Sequence, residues 1–445
     1  MAMLQEHNRE RAKKVMSDKN NDAYHNIRIP PRVQPSGCPI DHEFTTFTDE
    51  YLNNPYPMLA QIRDEKPVFY SKKLGYLVLT QMEDVVEVFR DHDVYSSENV
   101  QDPVFPICER AAAVLAAEDF NPVAVMSNKQ QPDHTRIKKY TREGFSGRRM
   151  KILEPYIRRR SHELIDAMVE KGGPVDFVSA FGHPLPGQTI FRFIGFDETD
   201  DEQIMAWTGN RLAFTWGKPS DDEQVEIAEK MLGYWRYCRK FVASRWENRQ
   251  DDLASELLNA HEADPNELAY REVESIIYGH SFAGHEIVSN YMSNALLCLL
   301  PRRDDWEALC KDAALIPNAL EEVLRYESPQ TSWRRVTKVA TSIAGVEIPA
   351  GTQVFLSLAS ANHQQALFED PTKFEMQRQN ARKHISFGHG IHFCLGARLA
   401  RLEGLIAMEA LTERLPNLRL VENQELEYSA NITFRGPAQL LVDWD

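Results

Sequence analysis

The stretch Phe387-Gly388-His389-Gly390-Ile391-His392-Phe393-Cys394-Leu395-Gly396 decides how the rest of this 445-residue chain is read. One cysteine sits in a glycine-punctuated loop. The run behind it, Gly396 to Leu415, carries apolar residues at helical spacing and meets no proline before Pro416, which predicts a helix. Cys394 then lies at a helix N-terminus, where backbone N–H groups and the helix dipole favour an anion. Gly390 and Gly396 are expected to let backbone approach closely from either side.

Three chemistries fit those residues. A buried free cysteine is often inert. His389, His392 and Cys394 supply part of a zinc site, although no fourth ligand is evident nearby. A thiolate under a large flat cofactor accounts for both glycines, and an axial cysteine on haem iron is the ligation that favours O–O cleavage.

The chain is 42% hydrophobic, ample for a large core. Length alone predicts two or three domains, at roughly 150 residues each. No run of 18 or more apolar residues appears, so no membrane span is expected. The start, MAMLQEHNRERAKKVMSDKNNDAYHN, is too polar for a signal peptide or an anchor. Cysteines fall at 38, 108, 238, 298, 310 and 394, with no CxxC pair and no disulfide framework. Reduced thiols in a cytoplasm fit that pattern. A net charge of −15 argues against nucleic acid and anionic membranes as partners.

Residues 1–45 read as a polar, partly disordered extension ending in the proline-rich IPPRVQPSGCP. Pro67–Tyr70 and Tyr76–Thr80 form an expected hairpin, and Gln81 to Arg90 a helix. Residues 95–130 lack clean periodicity; Asp133 to Ser255 is mostly helical in pattern. Asp264-Pro265-Asn266-Glu267 has the marks of a helix start. From there the pattern predicts one rod to Leu300, roughly 50 Å long. Strand patterns return at Val339–Ile348, Thr352–Leu358 and Leu418–Asp443. The whole reads as mainly α with small peripheral β-sheets.

At the cysteine loop the chain resembles the cytochrome P450 family of haem-thiolate monooxygenases. Phe387, Gly390, Cys394 and Gly396 stand at the family's spaced positions, with the basic His392 two before the cysteine. The resemblance implies one P450-type haem domain over 46–445, against the length prior, and haem b ligated through Cys394. Glu322-x-x-Arg325 lies in the helical run NALEEVLRY and resembles the family's buried pair that, with a later arginine, locks the ligand loop. Arg378 is the expected third partner and Arg382 a weaker candidate. Expected propionate partners are His134, Arg335, His392 and Lys138, where most bacterial members have arginine. Lysine offers a point charge in place of a fork.

The segment Phe282-Ala283-Gly284-His285-Glu286-Ile287 matches the family's distal motif at Ala283, Gly284 and Glu286. Ile287 stands where relatives have a threonine whose hydroxyl assists dioxygen activation, and isoleucine has no donor. The resemblance further implies pocket walls from Gly279, Phe282, Thr331, Ile432 and Phe434, with a lid at Val104, Phe105 and Ile107. Trp333 is expected nearer a propionate. No fixed charge is evident in that set, which points to a neutral apolar or aromatic substrate.

Lys138, Lys139, Arg142, Arg148, Arg149 and Arg398 are candidates for a basic patch that would steer an acidic redox partner. With Asp445 the last residue given, no fused reductase is expected after Cys394. The expected activity is therefore that of a bacterial, cytoplasmic oxidoreductase. It would insert one atom of O2 into a small to medium substrate, by hydroxylation or O-dealkylation. Electrons would come from a separate ferredoxin or flavodoxin with its NAD(P)H-dependent reductase. Ile287 keeps an alternative open: a haem-thiolate peroxygenase, isomerase or dehydratase.

Overall fold

The computed structural model describes residues 32–117 and 119–444. Residues 1–31, most of the expected extension, and Asp445 lie outside the described residues. The remainder of that extension is not separate from the fold. Strand β1 (Ile40–Asp41) pairs in parallel with β2 (Val68–Ser71), and Cys38 is buried.

The expected hairpin is β2 and β3 (Tyr76–Leu79), in register Val68↔Leu79. With β4 (Tyr95–Ser96), β5 (Ser332–Thr337) and β6 (Gln353–Ser357) they build one six-stranded sheet, in the order β1-β2-β3-β6-β5-β4. The β3–β6 pairing is parallel, Leu77↔Val354, and ties the two ends of the chain together. Every residue of β2, β3 and β6 is buried. Such strands read as continuous apolar runs because both sheet faces are covered. Leu77, Leu79, Val354 and Leu356 face one apolar cluster that includes Phe89 and Ile385. Phe69, Val78 and Phe355 face another, with Ile432 and Phe434.

Helices make up most of the remaining body. Those used below are α1 (Met82–Arg90), α2 (Asp133–Gly144), α3 (Gly147–Lys171), α4 (Pro184–Ile194), α5 (Arg211–Trp216), α6 (Tyr270–Gly284), α7 (Glu286–Leu299), α8 (Ile316–Tyr326) and α9 (Ala397–Arg414). Helix α8 shows why its sequence folds as it does. Ile316, Ala319, Leu320, Val323 and Leu324 recur at helical spacing and are all buried. Each large apolar side chain so buried contributes about 1.5–3 kcal/mol. Proline opens the helix in its first turn, and Pro329 keeps Ser328 from continuing it.

The single rod expected over Asp264–Leu300 is two helices that begin later. Asp264 closes an isolated turn instead, its carbonyl accepting from the Glu267 and Leu268 amides. The helix starts at Tyr270, where the Glu272 carboxylate accepts from the Ala269 N–H at 2.9 Å. Arg136 of α2 grips the same carboxylate at 2.9 and 2.7 Å. The capping signal is thus real but displaced along the chain. The rod then breaks at His285 (φ −103°, ψ −84°).

Candidate functional site

Glu322 and Arg325 of α8 are fully buried and paired through two hydrogen bonds of 2.7 Å. Arg378 completes the set at 3.0 Å from the same carboxylate, which also accepts the Glu375 amide at 3.0 Å. The two guanidinium groups then donate to the carbonyls of Asn362, Pro371, Lys373 and Glu369. A buried ion pair is tolerable only when its remaining donors are satisfied in this way. Arg382 is not part of the set: its side chain is 73% exposed.

A second network, missed in the sequence, continues the first toward Cys394. Glu321 accepts Arg401 at 2.6 and 2.9 Å and lies 3.1 Å from His384 Nε2. Burial opposes ionisation of Glu321, but these partners hold it down to about 2. Arg401, on α9, also stacks its guanidinium 4.5 Å from the Phe387 ring. Ser386 Oγ donates to the Leu324 carbonyl at 2.6 Å and accepts from Asn362 at 2.9 Å. The loop before Cys394 is therefore pinned to α8 and α9 at several points. The paired glutamates of NALEEVLRY were the available signal.

The cysteine amide donates to the Phe387 carbonyl at 3.0 Å, and α9 begins three residues later, as the spacing predicts. Gly390 has φ +70°, and a Cβ there would sit 2.3 Å from the Phe89 carbonyl of α1. Only glycine fits that approach. At Gly396 a Cβ would make ordinary contacts, 3.8 Å to Phe145 and 3.9 Å to Cys394 Sγ. The expected close approach is thus found on the Gly390 side alone. The Cys394 residue is exposed, yet the bulk of protein around its sulfur pushes the thiol up. The Gly396 and Ala397 amides, Arg401 and Lys138 oppose this without overcoming it. Helix amides alone do not make the thiolate here; a bound cation would.

Beside this loop lies a cluster of one arginine and two histidines with no carboxylate partner among the described residues. Arg335 is 1% exposed, donates through Nη1 to the Arg334 carbonyl at 2.7 Å, and leaves Nη2 without a partner. Burial brings its guanidinium down to about 9. His134 Nδ1 is likewise buried and unpartnered. The His134 and His392 rings are 4.0 Å apart, and His392 Nε2 is 3.1 Å from Ser97 Oγ. Burial, Arg335, His134 and Lys138 depress His392 to about 2; burial, Lys138 and Arg335 bring His134 to about 4. Neutral histidines and an unpaired arginine around one space call for an anion bearing several acceptors. The two propionates of haem b meet that demand. Lys138 departs from the expected set, because its ammonium donates to the Ile391 and Phe393 carbonyls of the cysteine loop. His389 turns to Arg90 Nε at 3.0 Å. Among the described residues no group of three or more His, Cys, Asp or Glu is arranged for a metal ion, so the partial zinc reading does not hold.

The distal motif falls on the break between α6 and α7. At the break the His285 ring sits between the start of α4 and a neighbouring helix: Nε2 lies 3.1 Å from the carbonyl of His183, just before α4, and Nδ1 3.4 Å from Thr208 Oγ1. A Cβ on Gly187 would come within 2.7 Å of that ring, and one on Gly284 within 2.7 Å of Ile190. Glu286 begins α7 with its Oε1 buried and unpartnered. Burial raises its carboxyl to about 7, against the amides and the positive charge at Asn210–Leu212. Ala283 is exposed, and a Cβ on Gly279 would meet nothing within 4 Å.

Of the expected pocket residues, Ile432, Phe434, Phe105 and Ile287 come together in one apolar cluster, joined by Leu212 and Trp216 of α5. Trp216 stands 5.0 Å from Phe434 and 6.3 Å from Trp333, so Trp333 lies among these rings. Phe282 packs on Tyr234 and Tyr278 in the main helical core. The Thr331 hydroxyl donates to the Thr433 carbonyl at 3.0 Å. On the opposite face, Arg149 is 4% exposed and held by Glu256 and Asp251, and Arg148 pairs with Asp251. Of the six patch candidates, Lys139, Arg142 and Arg398 are exposed without an ion-pair partner among the described residues.

Known proteins agree with this architecture. A family model described as Cytochrome P450 matches residues 310–415. Cytochrome P450 107B1 of Saccharopolyspora erythraea is 32% identical over 407 residues, 90% of this chain and 97% of that protein. The structure of cytochrome P450 CREJ in complex with (4-ethylphenyl) dihydrogen phosphate is 35% identical, with a TM-score of 0.86 over 91% of this chain and 100% of CREJ. An intact type IV self-sufficient cytochrome P450 monooxygenase superposes with a TM-score of 0.89 at 34% identity, over 93% of this chain and 54% of that one. The fold and the loop define a haem-thiolate oxidoreductase. The chain belongs to the cytochrome P450 family; it binds haem b and is a monooxygenase that uses O2, a small-molecule substrate and a redox partner. No helix among the described residues is long and apolar enough to cross a membrane.

Proposed function

We propose that the chain acts as one haem domain that takes in β1 as well as residues 46–445. It hydroxylates or O-dealkylates a small to medium apolar or aromatic substrate in the cytoplasm, with electrons from a separate ferredoxin or flavodoxin. Cys394 is the axial ligand, Arg335, His134 and His392 receive the propionates, and Lys138 stiffens the ligand loop. Haem bound through a thiolate supplies activation of dioxygen for insertion into a C–H bond. The protein's part is to hold that ligand still, exclude water and deliver protons. The Glu322–Arg325–Arg378 network does the first. The apolar cluster of Ile287, Phe105, Ile432 and Phe434 does the second.

Glu286 does the third. A carboxyl near 7 holds and releases a proton at neutral pH, and Oε1 has no partner competing for that proton. This is the observation that carries the reading, because Ile287 offers no hydroxyl to share the work. A substrate hydroxyl or a water then relays the proton. The aromatic walls support an aromatic body for the substrate, as does the alkylphenyl ligand of CREJ.

Ile287 also favours a second reading, turnover driven by peroxide. Single-turnover assays of the holoenzyme with ferredoxin and reductase, against hydrogen peroxide alone, separate the two. Product that requires ferredoxin supports monooxygenation. Product formed faster with peroxide, and unchanged by ferredoxin, overturns it.

A further inference from the structure

Arg211, at the start of the helix that lines the apolar cluster, is a buried guanidinium that no function above accounts for. It opens α5, whose Leu212 and Trp216 belong to the apolar cluster with Ile432 and Phe434. It is 6% exposed. One of its terminal nitrogens donates to Thr215 Oγ1, one turn on, and its Nε is buried with no partner. Its guanidinium closes no ion pair within 4.0 Å among the described residues, although the Glu286 carboxylate accepts the Arg211 amide and is drawn to its charge. Its guanidinium lies over the ring of Phe282, 5.5 Å from the centroid, and 5.9 Å from that of Phe214. Phe282 stands one turn before Glu286 and three residues after Gly279, where the helix leaves open space.

A buried arginine whose neighbouring carboxylate stays outside ion-pair distance is only partly compensated, and aromatic faces offset only part of the remaining cost. Five N–H donors in a planar fork match an oxyanion with two acceptor atoms. Glu286 accepts the Arg211 amide and is drawn to its charge, but it begins another helix and closes no ion pair with the guanidinium. We infer that Arg211 anchors an anionic group of the substrate, so that the pocket takes an amphipathic molecule with a carboxylate or phosphate on an apolar or aromatic body. The anion then fixes which end of the body enters beside Ile287, Phe434 and Ile432. This inference rests on the pocket assignment above and refines its substrate class. The sequence concealed it because Arg211 is one arginine among many on amphipathic helices, and only the fold turns it inward.

The test is an optical titration of the purified holoenzyme, following the spin-state change of the haem. Two matched pairs serve as probes: 4-ethylbenzoate with 4-ethylbenzamide, and 4-ethylphenyl phosphate with 4-ethylphenol. At least one anion is expected to bind roughly tenfold or more tightly than its neutral counterpart, as a charge-assisted fork would give. The stronger pair tells carboxylate from phosphate. Arg211→Gln should erase that preference while leaving the neutral affinity within about threefold. Arg211→Lys should keep part of it. Neutral probes that bind as well as or better than both anions overturn the anchor and leave the aromatic pocket standing. So does a preference that survives Arg211→Gln. If none of the four perturbs the haem, the aromatic-substrate reading falls and the anchor with it. The wild-type comparison decides the matter even if a variant fails to load haem.

Discussion

The two sides of the haem site are built on opposite principles. On the cysteine side the Glu322 carboxylate and both its arginines are buried and bonded, and buried Glu321 is bonded to half-buried Arg401 beside buried His384. On the distal side the helix is broken, and Glu286 Oε1 and Arg211 Nε are buried with no partner. A satisfied polar network fixes one geometry. An unsatisfied one is a site waiting for a ligand or a proton. The contrast is local to these two sets of residues: the network beneath the cysteine loop is bonded, and the two groups at the helix break are not.

That contrast can be broken in several places. Cys394→Ser should abolish the thiolate-type haem spectrum and with it all monooxygenation; a retained thiolate spectrum would move the ligand elsewhere. Glu322→Gln leaves buried Arg325 without a carboxylate and Arg378 with Glu375 alone, at 3.4 Å. It should cost about 3–5 kcal/mol, read as lost haem occupancy and a lower Tm. Arg382→Ala, at an exposed position, should change neither. If both variants behave alike, the rigid side is not rigid for the reason given.

Glu286→Gln should lower kcat by roughly a hundredfold with little change in Tm at pH 7. The wild-type pH–rate profile should inflect near 7 and the variant's should not. Stability carries the matching sign. Folding raises this carboxyl from 4.5 to about 7, so the folded chain binds the extra proton between those values. Its stabilising contribution is complete below 4.5 and is lost as pH rises through 7. Urea unfolding at pH 5 and pH 8 should show that slope in the wild type and a flatter one in the variant.

Smaller effects sharpen the picture. Arg142→Glu with Arg398→Glu should slow reduction by ferredoxin roughly tenfold at low salt, less at high salt, without unfolding the protein. Arg149→Glu, buried against Glu256 and Asp251, should fail to fold instead. Ile287→Thr should raise modestly the product formed per NAD(P)H consumed. An unchanged ratio would mean that the proton path already runs wholly through Glu286.

What was legible in the sequence was local chemistry at fixed spacing. The cysteine loop, the helix behind it and the Glu322–Arg325 pair are written in a few residues each. Arg378 needed only the right offset. What was not legible depended on distant partners. The break at His285 is invisible in a helical pattern, because it depends on the space left by Gly187 and on the His183 carbonyl just before α4. The start at Tyr270 depended on Arg136 gripping Glu272. Lys138 was assigned by homologous position, whereas its reach to the Ile391 carbonyl depends on how α2 meets the loop. Arg149 had the composition of a docking patch and the burial of a core residue.

The parallel pairing of β3 with β6 carries a consequence for how this protein is made. Leu77, Val78 and Leu79 must find Val354, Phe355 and Leu356. At about 5–20 residues per second, the ribosome takes on the order of tens of seconds to deliver the second strand after the first. Until then the hairpin offers an apolar edge with no neighbour. Nascent chains stalled before residue 353 should be protease-sensitive at Tyr76–Leu79 and bound by chaperones, and those stalled well after it protected. Equal protection in both would mean that the hairpin is sheltered by a contact outside the sheet. The sheet, and the cysteine loop packed against it through Phe89, can be completed only near the end of synthesis.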